Sequence, residues 1–310
     1  MFRFGLVGAG RMGRTHLRAL ASSEAVRIVA VAEVDEVGRK TAAAEYGLES
    51  YSTLEELIAH ASIDGVLVAS PTDTHAFVVE AAVRADLPVL CEKPCGSSPE
   101  EARHLAQVVE TQGAQLQVGY WRRFVPALAH LQERIRGGEL GDVLSLVCSQ
   151  WDRSPPPASF RVRSGGIAVD MGVHEIDQAR WLLGSEAGFV TGVSSSVVTD
   201  PAAGLDPDCA HLIARMTSGE SLIISLGRYY PGGDMVRVEV FGTRGHVLEE
   251  ILTPSEGERV QLEALERQAV AFAEAAGGGV SDGASLSDAI AALEFAILAE
   301  DQLERRALQP

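Results

Sequence analysis

The sequence predicts an α/β protein with two domains. The first has a doubly wound parallel sheet, and the second is an α+β domain with a large, open, mostly antiparallel sheet. Residues 1 to about 120 alternate between short apolar runs and helix-like segments, with a glycine-rich turn after the first run, as in a Rossmann domain. Residues 189 to about 251 form successive strand-like runs without intervening helices, which favours antiparallel pairing. The 310 residues suffice for two domains, which we place at 1–120 and 121–310.

In the first domain, apolar runs predict strands at 4–7, 28–32, 63–69, 89–91 and 116–119. The run at 63–69 is apolar throughout, as in a strand that is buried on both faces of a parallel sheet. Helices are predicted between the strands, at 11–21, 36–46, 76–85 and from Ser98-Pro99 onward. Two overlapping capping boxes, Ser52 with Glu55 and Thr53 with Glu56, predict a short helix after 53.

In the second domain, a helix is predicted at 126–136, where Gly137-Gly138 ends it. A strand at 143–150 and a proline-rich loop at 154–157 lead to an amphipathic helix at 169–183. Strands then follow one another at 190–198, 210–216, 222–227, 236–241 and 246–251. Two helices, at 262–276 and 286–306, complete the chain.

Composition narrows the classes of partner. The formal net charge of −17 repels nucleic acid and anionic membrane surfaces, so we expect neither as a partner. Apolar runs are interrupted well before they reach the length of a membrane span. Met1 leads directly into a strand-like run, so we expect no signal peptide, a cytoplasmic protein and four reduced cysteines.

The glycine-rich turn predicts a dinucleotide site. Gly8, Gly10 and Gly13 fit G-x-G-x-x-G between a strand and a helix, with Arg11 and Met12 at the variable positions. Such a turn brings the backbone and the helix N-terminus to a pyrophosphate. Glu33 follows Gly13 by twenty residues, where a carboxylate binds the adenosine ribose and repels a 2′-phosphate. We therefore expect NAD as the cofactor, with NADP less favoured.

Other charged residues near Glu33 leave alternatives open. Asp35 competes with Glu33 for the ribose, although a helix N-cap is at least as good an interpretation of it. Arg39 and Lys40 could weaken the preference for NAD, but a solvated position on the following helix explains both equally simply.

Polar residues follow two neighbouring strands, at the sheet edge where doubly wound proteins bind ligands. Ser70, Pro71, Thr72 and His75 follow one strand, and Glu92 and Lys93 follow the next; we assign all six to cofactor binding. Lys93 stands between a strand end and Pro94, which restrains it more than an ordinary surface lysine.

Asp170 and His174 are the candidate proton-transfer pair. They are four positions apart, so on a helix they would share a face. Histidine is the usual base near neutral pH, and a carboxylate beside it orients the ring and stabilises its charged form. An isolated Asp-x-x-x-His is more simply a core histidine with its partner, but its combination with Lys93 favours catalysis.

Three separated motifs resemble the Gfo/Idh/MocA oxidoreductase family: the Gly8–Gly13 turn, Glu92-Lys93-Pro94, and Gly165-Gly166 followed by Asp170 and His174. The resemblance covers residues 1 to about 250. It implies a second domain whose open sheet often builds dimers or tetramers, and it makes Lys93, Asp170 and His174 the catalytic residues. It also implies that the Lys93–Pro94 bond is cis.

Within the family the chain is most similar to the inositol 2-dehydrogenases, in the stretches 119–124, 151–157 and 200–204. The resemblance implies NAD-dependent oxidation of a ring-polyol hydroxyl to a ketone. His174 would remove the proton, Asp170 would stabilise the imidazolium, and Lys93 would bind the reacting oxygen. Candidate substrate contacts are these three residues together with Tyr120, Arg122, Arg123 and Tyr229. Arg123 is equally well interpreted as a structural ion-pair partner.

The departures from the pattern of the inositol enzymes affect the expected substrate and not the expected chemistry. Asp152-Arg153 is reversed in order, Gly172 stands where Thr is frequent, and the loop at 228–234 differs in spacing. A sugar dehydrogenase or ketosugar reductase of the same family is therefore the first alternative, and an NAD-binding sensor without turnover is the second. Cys91 and Cys95 suggest zinc only weakly, because no further ligands stand at a known spacing; we expect no metal.

Overall fold

The computed structural model describes residues 1–198, 206–256, 258–280 and 282–307, which form two compact units. The first unit comprises Met1–Phe124 and Gln261–Ile290, and the second comprises Val125–Val260 and Ala291–Pro310. The chain leaves the first unit close to the predicted boundary at 120, but later returns to it. The return is explained by Phe272, whose buried ring stacks on Phe4 at 5.6 Å between ring centroids.

The first unit contains a six-stranded parallel sheet in the order β3-β2-β1-β4-β5-β6. Its strands are β1 (Phe2–Val7), β2 (Val26–Ala32), β3 (Glu49–Tyr51), β4 (Gly65–Val68), β5 (Val89–Cys91) and β6 (Leu116–Val118). The chain starts in the middle, at β1, and extends the sheet in both directions, which confirms the predicted doubly wound topology. Only β3 was not predicted, because this short edge strand has no buried residue and therefore no apolar run.

Six helices and a 3₁₀ turn accompany this sheet: α1 (Arg11–Leu20), α2 (Glu36–Tyr46), α3 (Leu54–His60), α4 (Thr72–Arg84), α5 (Pro99–Gln112), the turn Trp121–Phe124, and α9 (Arg259–Ala276). Capping side chains begin several of them, as predicted. The Thr53 hydroxyl accepts a hydrogen bond from the Glu56 amide at 3.2 Å, and the Ser98 hydroxyl accepts one from the Glu101 amide at 3.2 Å. The second of the two overlapping capping boxes is therefore the one that caps α3.

The second unit contains a six-stranded mixed sheet in the order β12-β11-β7-β10-β9-β8. Its strands are β7 (Val143–Trp151), β8 (Ala187–Ser195), β9 (Cys209–Met216), β10 (Ser221–Gly227), β11 (Met235–Gly242) and β12 (His246–Leu252). The β7–β10 pair is parallel and the four other neighbouring pairs are antiparallel, which confirms the mostly antiparallel sheet.

The helices of this unit are α6 (Pro126–Arg136), α7 (Ala158–Arg161), α8 (Val173–Leu183) and α10 (Leu286–Ala307), whose first residues belong to the first unit. The predicted helix at 169–183 is in fact two elements, because a π-helical segment (Ala168–Gly172) precedes α8. Asp170 therefore lies in the π segment and His174 in the first turn of α8, which changes the local spacing on which the shared-face prediction depended.

One face of the mixed sheet is buried and the other is open. Side chains alternate along β9, where Leu212 and Ala214 are buried while Ile213 between them is 54% exposed. Helix α8 packs on the buried face against β7. Apolar side chains also lie on the open face, on several strands: Phe189, Val193, Ile213, Ile223, Phe241 and Leu248. None of the helices in the described part of the chain is long and apolar enough to cross a membrane.

Candidate active site

The three glycines of the β1–α1 turn serve different steric needs. Gly8 has φ +97°, in the left-handed region that favours glycine. A Cβ on Gly13 would lie 2.0 Å from the carbonyl oxygen of Gly8, so only glycine lets α1 pack this closely on the turn. A Cβ on Gly10 would meet no heavy atom within 4 Å, so its backbone stands open. This is the division of roles that the motif predicts.

The N-terminus of α1 is suited to an anion. Its N-cap, Gly10, provides no side-chain cap, and the first turn carries no acidic residue. The first residues, Arg11 and Met12, therefore point backbone N–H groups at a position that side chains of this turn leave uncovered. A dinucleotide pyrophosphate fits at this helix N-terminus, because Gly10 has no side chain and leaves the space beside these N–H groups open.

Glu33 lies at the end of β2, and backbone amides orient its carboxylate. One oxygen accepts a hydrogen bond from the Ala9 amide at 2.7 Å, and the other accepts one from the Asp35 amide at 2.9 Å. The Asp35 side chain accepts from the Gly38 amide at 2.6 Å, so it is the N-cap of α2, which was the simpler of its two interpretations. Ribose recognition by Glu33 stays a prediction, now with a fixed carboxylate beside the glycine turn.

The basic residues after Glu33 also have local partners. The Arg39 guanidinium donates to the Glu33 carbonyl oxygen at 2.6 Å. Lys40 forms an exposed ion pair with Glu36 at 2.5 Å. These contacts explain both residues without a 2′-phosphate.

His75 ties together the two loops that follow β4 and β5. Its ring is buried, with Nδ1 2.8 Å from the Pro94 carbonyl oxygen and Nε2 2.8 Å from the Ser70 carbonyl oxygen. The Ser70 hydroxyl in turn bonds to that of Thr74 at 2.7 Å, while Pro71 and Thr72 begin α4. The Lys93–Pro94 bond is cis, as the resemblance implies. His75 thus connects the loop of Lys93 to the loop that follows β4.

Glu92 has a partner that the sequence analysis missed. Its carboxylate lies 2.6 Å from Nε2 of His16, on α1, and both side chains are buried. A Cβ on Gly119 would lie 3.0 Å from this carboxylate, so the glycine leaves room for it. His16 and Glu92 are 76 residues apart. The one available signal was a polar residue on the buried face of α1, which alone indicates no function.

In the second unit, Asp170 and His174 lie on either side of the junction between the π segment and α8, and both are half-buried. The carboxylate of Glu300, on α10, accepts a hydrogen bond from the Ala168 amide at 2.8 Å and so caps the π segment. Gly166 has φ +95°, and a Cβ there would lie 2.2 Å from the Glu300 carboxyl carbon. Gly166 therefore makes room for the cap that holds the segment of Asp170, while a Cβ on Gly165 would lie 3.0 Å from Val169 Cγ1.

Asp170 is anchored by an arginine that the sequence analysis did not single out. Arg228, just after β10, donates from Nη1 to Asp170 Oδ2 at 2.6 Å and from Nη2 to Asp206 at 3.1 Å. Burial alone would lower the pKa of Arg228, but the Asp170 and Asp206 carboxylates outweigh it and raise that pKa above its usual value. The guanidinium therefore stays charged, and Asp170 keeps a fixed positive partner.

Asp152 lies in the same unit, at the end of β7. Burial raises the pKa of its carboxyl group, and the charges of Asp234 and Asp170 act in the same direction, against a hydrogen bond from Gln150. The Gln150 amide donates to Asp152 at 3.2 Å. Asp152 is thus a carboxyl group on which ionisation is disfavoured.

The remaining substrate candidates differ in their surroundings. Arg123 is buried and forms an ion pair with Asp288 at 3.4 Å, which supports its structural interpretation. The Arg122 guanidinium lies 5.8 Å from the centre of the Trp121 ring. Tyr120 is buried and Tyr229 is half-buried. Substrate contact by these residues stays a prediction, and the stretch 200–204 lies outside the described residues.

The cysteines are free thiols, and Cys91 and Cys95 are buried. Burial raises the pKa of the Cys91 thiol well above its usual value, so it is protonated and unreactive near neutral pH. Among the described residues, no group of three or more His, Cys, Asp or Glu side chains is arranged to hold a metal ion.

Comparison with known proteins covers both units. Residues 2–120 match the oxidoreductase family with the NAD-binding Rossmann fold, and residues 128–248 match the GFO/IDH/MocA C-terminal domain. The chain is 46% identical to the rhizopine catabolism protein MocA of Rhizobium meliloti, over 98% of this chain and 96% of that protein. It is 39% identical to an inositol 2-dehydrogenase of Rhizobium meliloti (strain 1021), over 81% of this chain and 76% of that protein.

A solved structure shows the same architecture throughout. The crystal structure of a myo-inositol dehydrogenase from Corynebacterium glutamicum covers 100% of this chain and 99% of its own, with a TM-score of 0.89 and 27% identity. The matches to both parts of the family run in the same order as the motifs of the glycine turn, Lys93 and Asp170. The chain therefore belongs to the Gfo/Idh/MocA family of NAD-binding oxidoreductases.

Proposed function

We propose that this protein oxidises a hydroxyl group of a ring polyol, an inositol or a close derivative, to a ketone with NAD. The observation that carries this proposal is the Asp170 carboxylate, which the charged, buried Arg228 fixes four residues before the candidate base His174. A protein that only bound NAD would need neither a base nor an anchored carboxylate. The relatives named for inositol oxidation and rhizopine catabolism supply the substrate class.

Each residue has a definite role in the reaction. His174 accepts the proton of the reacting hydroxyl, and Asp170 stabilises the imidazolium that results. Lys93 donates a hydrogen bond to the same oxygen and stabilises the negative charge that develops on it. When bound, NAD would supply the acceptor for the hydride that leaves the carbon. Glu33 would bind the adenosine ribose, and the N-terminus of α1 would bind the pyrophosphate.

The test is the rate of reduced-nicotinamide formation by the purified protein, with NAD and separately with NADP. The panel comprises myo- and scyllo-inositol, aldoses, sugar acids and rhizopine, since the MocA relative is named for the catabolism of rhizopine. NAD-linked turnover of an inositol or of rhizopine is the expected result. Turnover of aldoses alone would replace the substrate class, and tight NAD binding without turnover in either direction would favour a sensor.

We also infer that the protein acts as a homodimer or homotetramer that associates through the open face of the mixed sheet. Six apolar side chains lie exposed there, as described above. Arg215 and Arg237 lie on the same face as Glu239 and Glu250, so two copies related by a two-fold axis can pair opposite charges around an apolar centre. The occupant that fits such a self-complementary face is a second copy of this chain.

The free thiols support a proposal for the cellular compartment. All four cysteines are free, and three of them are buried. We infer that the protein works in the cytoplasm, where thiols remain reduced. Fractionation of the source cells tests this, and recovery of the protein from an exported fraction would contradict it.

A further inference from the structure

Arg228 is fully buried, and two carboxylates share its guanidinium. Its Nη1 donates to Asp170 at 2.6 Å and its Nη2 to Asp206 at 3.1 Å, while no part of its side chain is exposed. Arg228 therefore does not reach a substrate. Its hydrogen-bonded connection to the proposed proton-transfer residues is Asp170, whose side chain is 17% exposed.

Asp206 is in turn shared between two arginines. Its carboxylate accepts from Arg161 Nε at 2.6 Å, and its backbone carbonyl accepts from Arg161 Nη2 at 2.8 Å. The side chains of Arg161 and Asp206 are both almost completely buried. Two positive and two negative groups thus alternate in one line, Arg161–Asp206–Arg228–Asp170, and the last of them is its most exposed member.

The line is tied to the sheet as well. The backbone amide of Arg228 donates to the Asp208 carbonyl oxygen at 2.8 Å. The Asp208 carboxylate accepts from the amides of Val197 and Val198, each at 2.6 Å. Arg228 follows β10 directly, so its side chain starts from a strand in the interior of the sheet. Asp170, by contrast, lies in a short π-helical segment, and Arg228 connects it to the interior of the mixed sheet.

We propose that Arg228 is a positioning residue for the Asp170–His174 pair, which fixes the Asp170 carboxylate in one orientation while Asp206 holds Arg228 in place. This inference rests on the roles of Asp170 and His174 under the proposed function. A planar guanidinium can bond to both carboxylates at once, whereas the single ammonium of a lysine has one point of charge and a different reach. The planar shape of the guanidinium therefore matters for positioning Asp170, as well as its positive charge.

A purely structural ion network is the competing explanation, and a double-mutant cycle separates the two. The variants are Arg228→Lys, Asp170→Asn and the double variant, with Arg180→Lys as matched control. Arg180 is a mostly buried arginine of the same unit that forms two 2.6 Å bonds to Glu186, outside the line. Each variant is measured for melting temperature, NAD dissociation constant, kcat, KM and the primary isotope effect with substrate deuterated at the reacting carbon.

Arg228→Lys should lower kcat by about 10-fold or more with little change in KM or in NAD affinity. The isotope effect should rise, because a misplaced Asp170–His174 pair slows the chemical step itself. Adding Arg228→Lys to Asp170→Asn should cost little further kcat, since both act through one carboxylate. Arg180→Lys should change the melting temperature alone.

Fully additive losses of kcat, or a wild-type kcat and isotope effect in Arg228→Lys, would overturn the inference. If Arg228→Lys does not fold, Asp206→Asn takes its place in the cycle, since it removes the second partner of the guanidinium and is judged by the same criteria. If Asp170→Asn itself kept full activity, the proposed role of Asp170 would fail, and the positioning inference would fail with it. Absence of wild-type turnover on the whole panel would instead count against the proposed function.

Discussion

His174 is the residue on which the proposed chemistry depends most directly. Its replacement by alanine should lower kcat by about 100-fold or more, because general-base catalysis contributes at least that factor. NAD affinity should be unchanged, since the glycine turn and Glu33 belong to the other unit. Steady-state turnover and cofactor titration measure the two effects separately.

The matched control is His104→Ala, because His104 is an exposed histidine on α5. It should behave as wild type in both measurements. A His174→Ala protein that kept full turnover would show that another group removes the proton.

Asp152 allows a test of how a buried negative charge affects the stability of the second unit. Because burial raises the pKa of this carboxyl group, the folded protein binds its proton more tightly than the unfolded chain does. Ionisation of Asp152 therefore costs stability as the pH rises above the usual value of 3.8. Asp152→Asn should raise the melting temperature near neutral pH, and the gain should shrink as the pH falls toward that value.

Thermal unfolding of the wild-type protein and of Asp152→Asn across this pH range shows whether the melting temperature changes in the expected direction. The Gln150 amide can still donate to the side-chain oxygen of asparagine, so the hydrogen bond is preserved as a control within the variant. A gain that did not depend on pH, or a lower melting temperature near neutral pH, would refute the electrostatic explanation.

The residues that the sequence could predict differ physically from those it could not. The glycine turn and Glu92-Lys93-Pro94 carry their signal in local spacing, so they stand out in one sequence. Arg228 bonds to Asp170 across 58 residues and His16 to Glu92 across 76. In the sequence, each of these buried partners is visible only as a single charged or polar residue. The fold determines which of these residues come into contact.

At the scale of the element, the β1–α1 turn separates folding from cofactor binding. Gly13→Ala should destabilise the protein strongly, because its Cβ would lie 2.0 Å from the Gly8 carbonyl oxygen and the backbone would have to move. Gly10→Ala should fold normally, because its Cβ meets nothing within 4 Å. It should instead weaken NAD binding, since the new methyl group occupies the space of the pyrophosphate.

Melting temperature and NAD titration distinguish the two variants, each of which serves as the control for the other. We expect the loss of stability in Gly13→Ala and the loss of affinity in Gly10→Ala. If Gly10→Ala bound NAD as wild type does, the pyrophosphate would not approach this backbone, and the cofactor assignment of the turn would be wrong.

Elements with clear terminal residues were predicted with their bounds. Helix α2 lies between the Asp35 cap and Gly47, and α6 begins at Pro126 and ends before Gly137, as predicted. The π segment before α8 was missed, because an apolar periodicity near that of an α-helix does not reveal one inserted wide turn. Its cause lies elsewhere in the chain, in the Glu300 cap and the space left by Gly166.

At the scale of the whole molecule, the chain does not divide at a single point. Helix α9 follows the strands of the second unit in sequence, yet most of it belongs to the first unit. The sequence predicted this helix but not the sheet that it covers. Phe272 packs on the rings of Phe2 and Phe4, a contact between opposite ends of the sequence that no local pattern indicates.

The open face of the mixed sheet makes a prediction about assembly. The wild-type protein should have a mass in solution of two or four times the 32.9 kDa of one chain. Ile213→Glu should shift the assembly toward smaller species, because association would then bury a carboxylate without a partner. Light scattering coupled to size-exclusion chromatography measures the mass directly.

The fold itself should survive this substitution, because the Ile213 side chain points away from the core and is already 54% exposed. Circular dichroism and NAD affinity should match wild type. Val280→Glu is the control, since this residue is an equally apolar but almost fully exposed residue of a loop in the first unit. A wild-type monomer, or an Ile213→Glu protein with the wild-type mass, would mean that the open face has another occupant. In that case its apolar side chains and its four charges would have to be explained by a partner other than this chain.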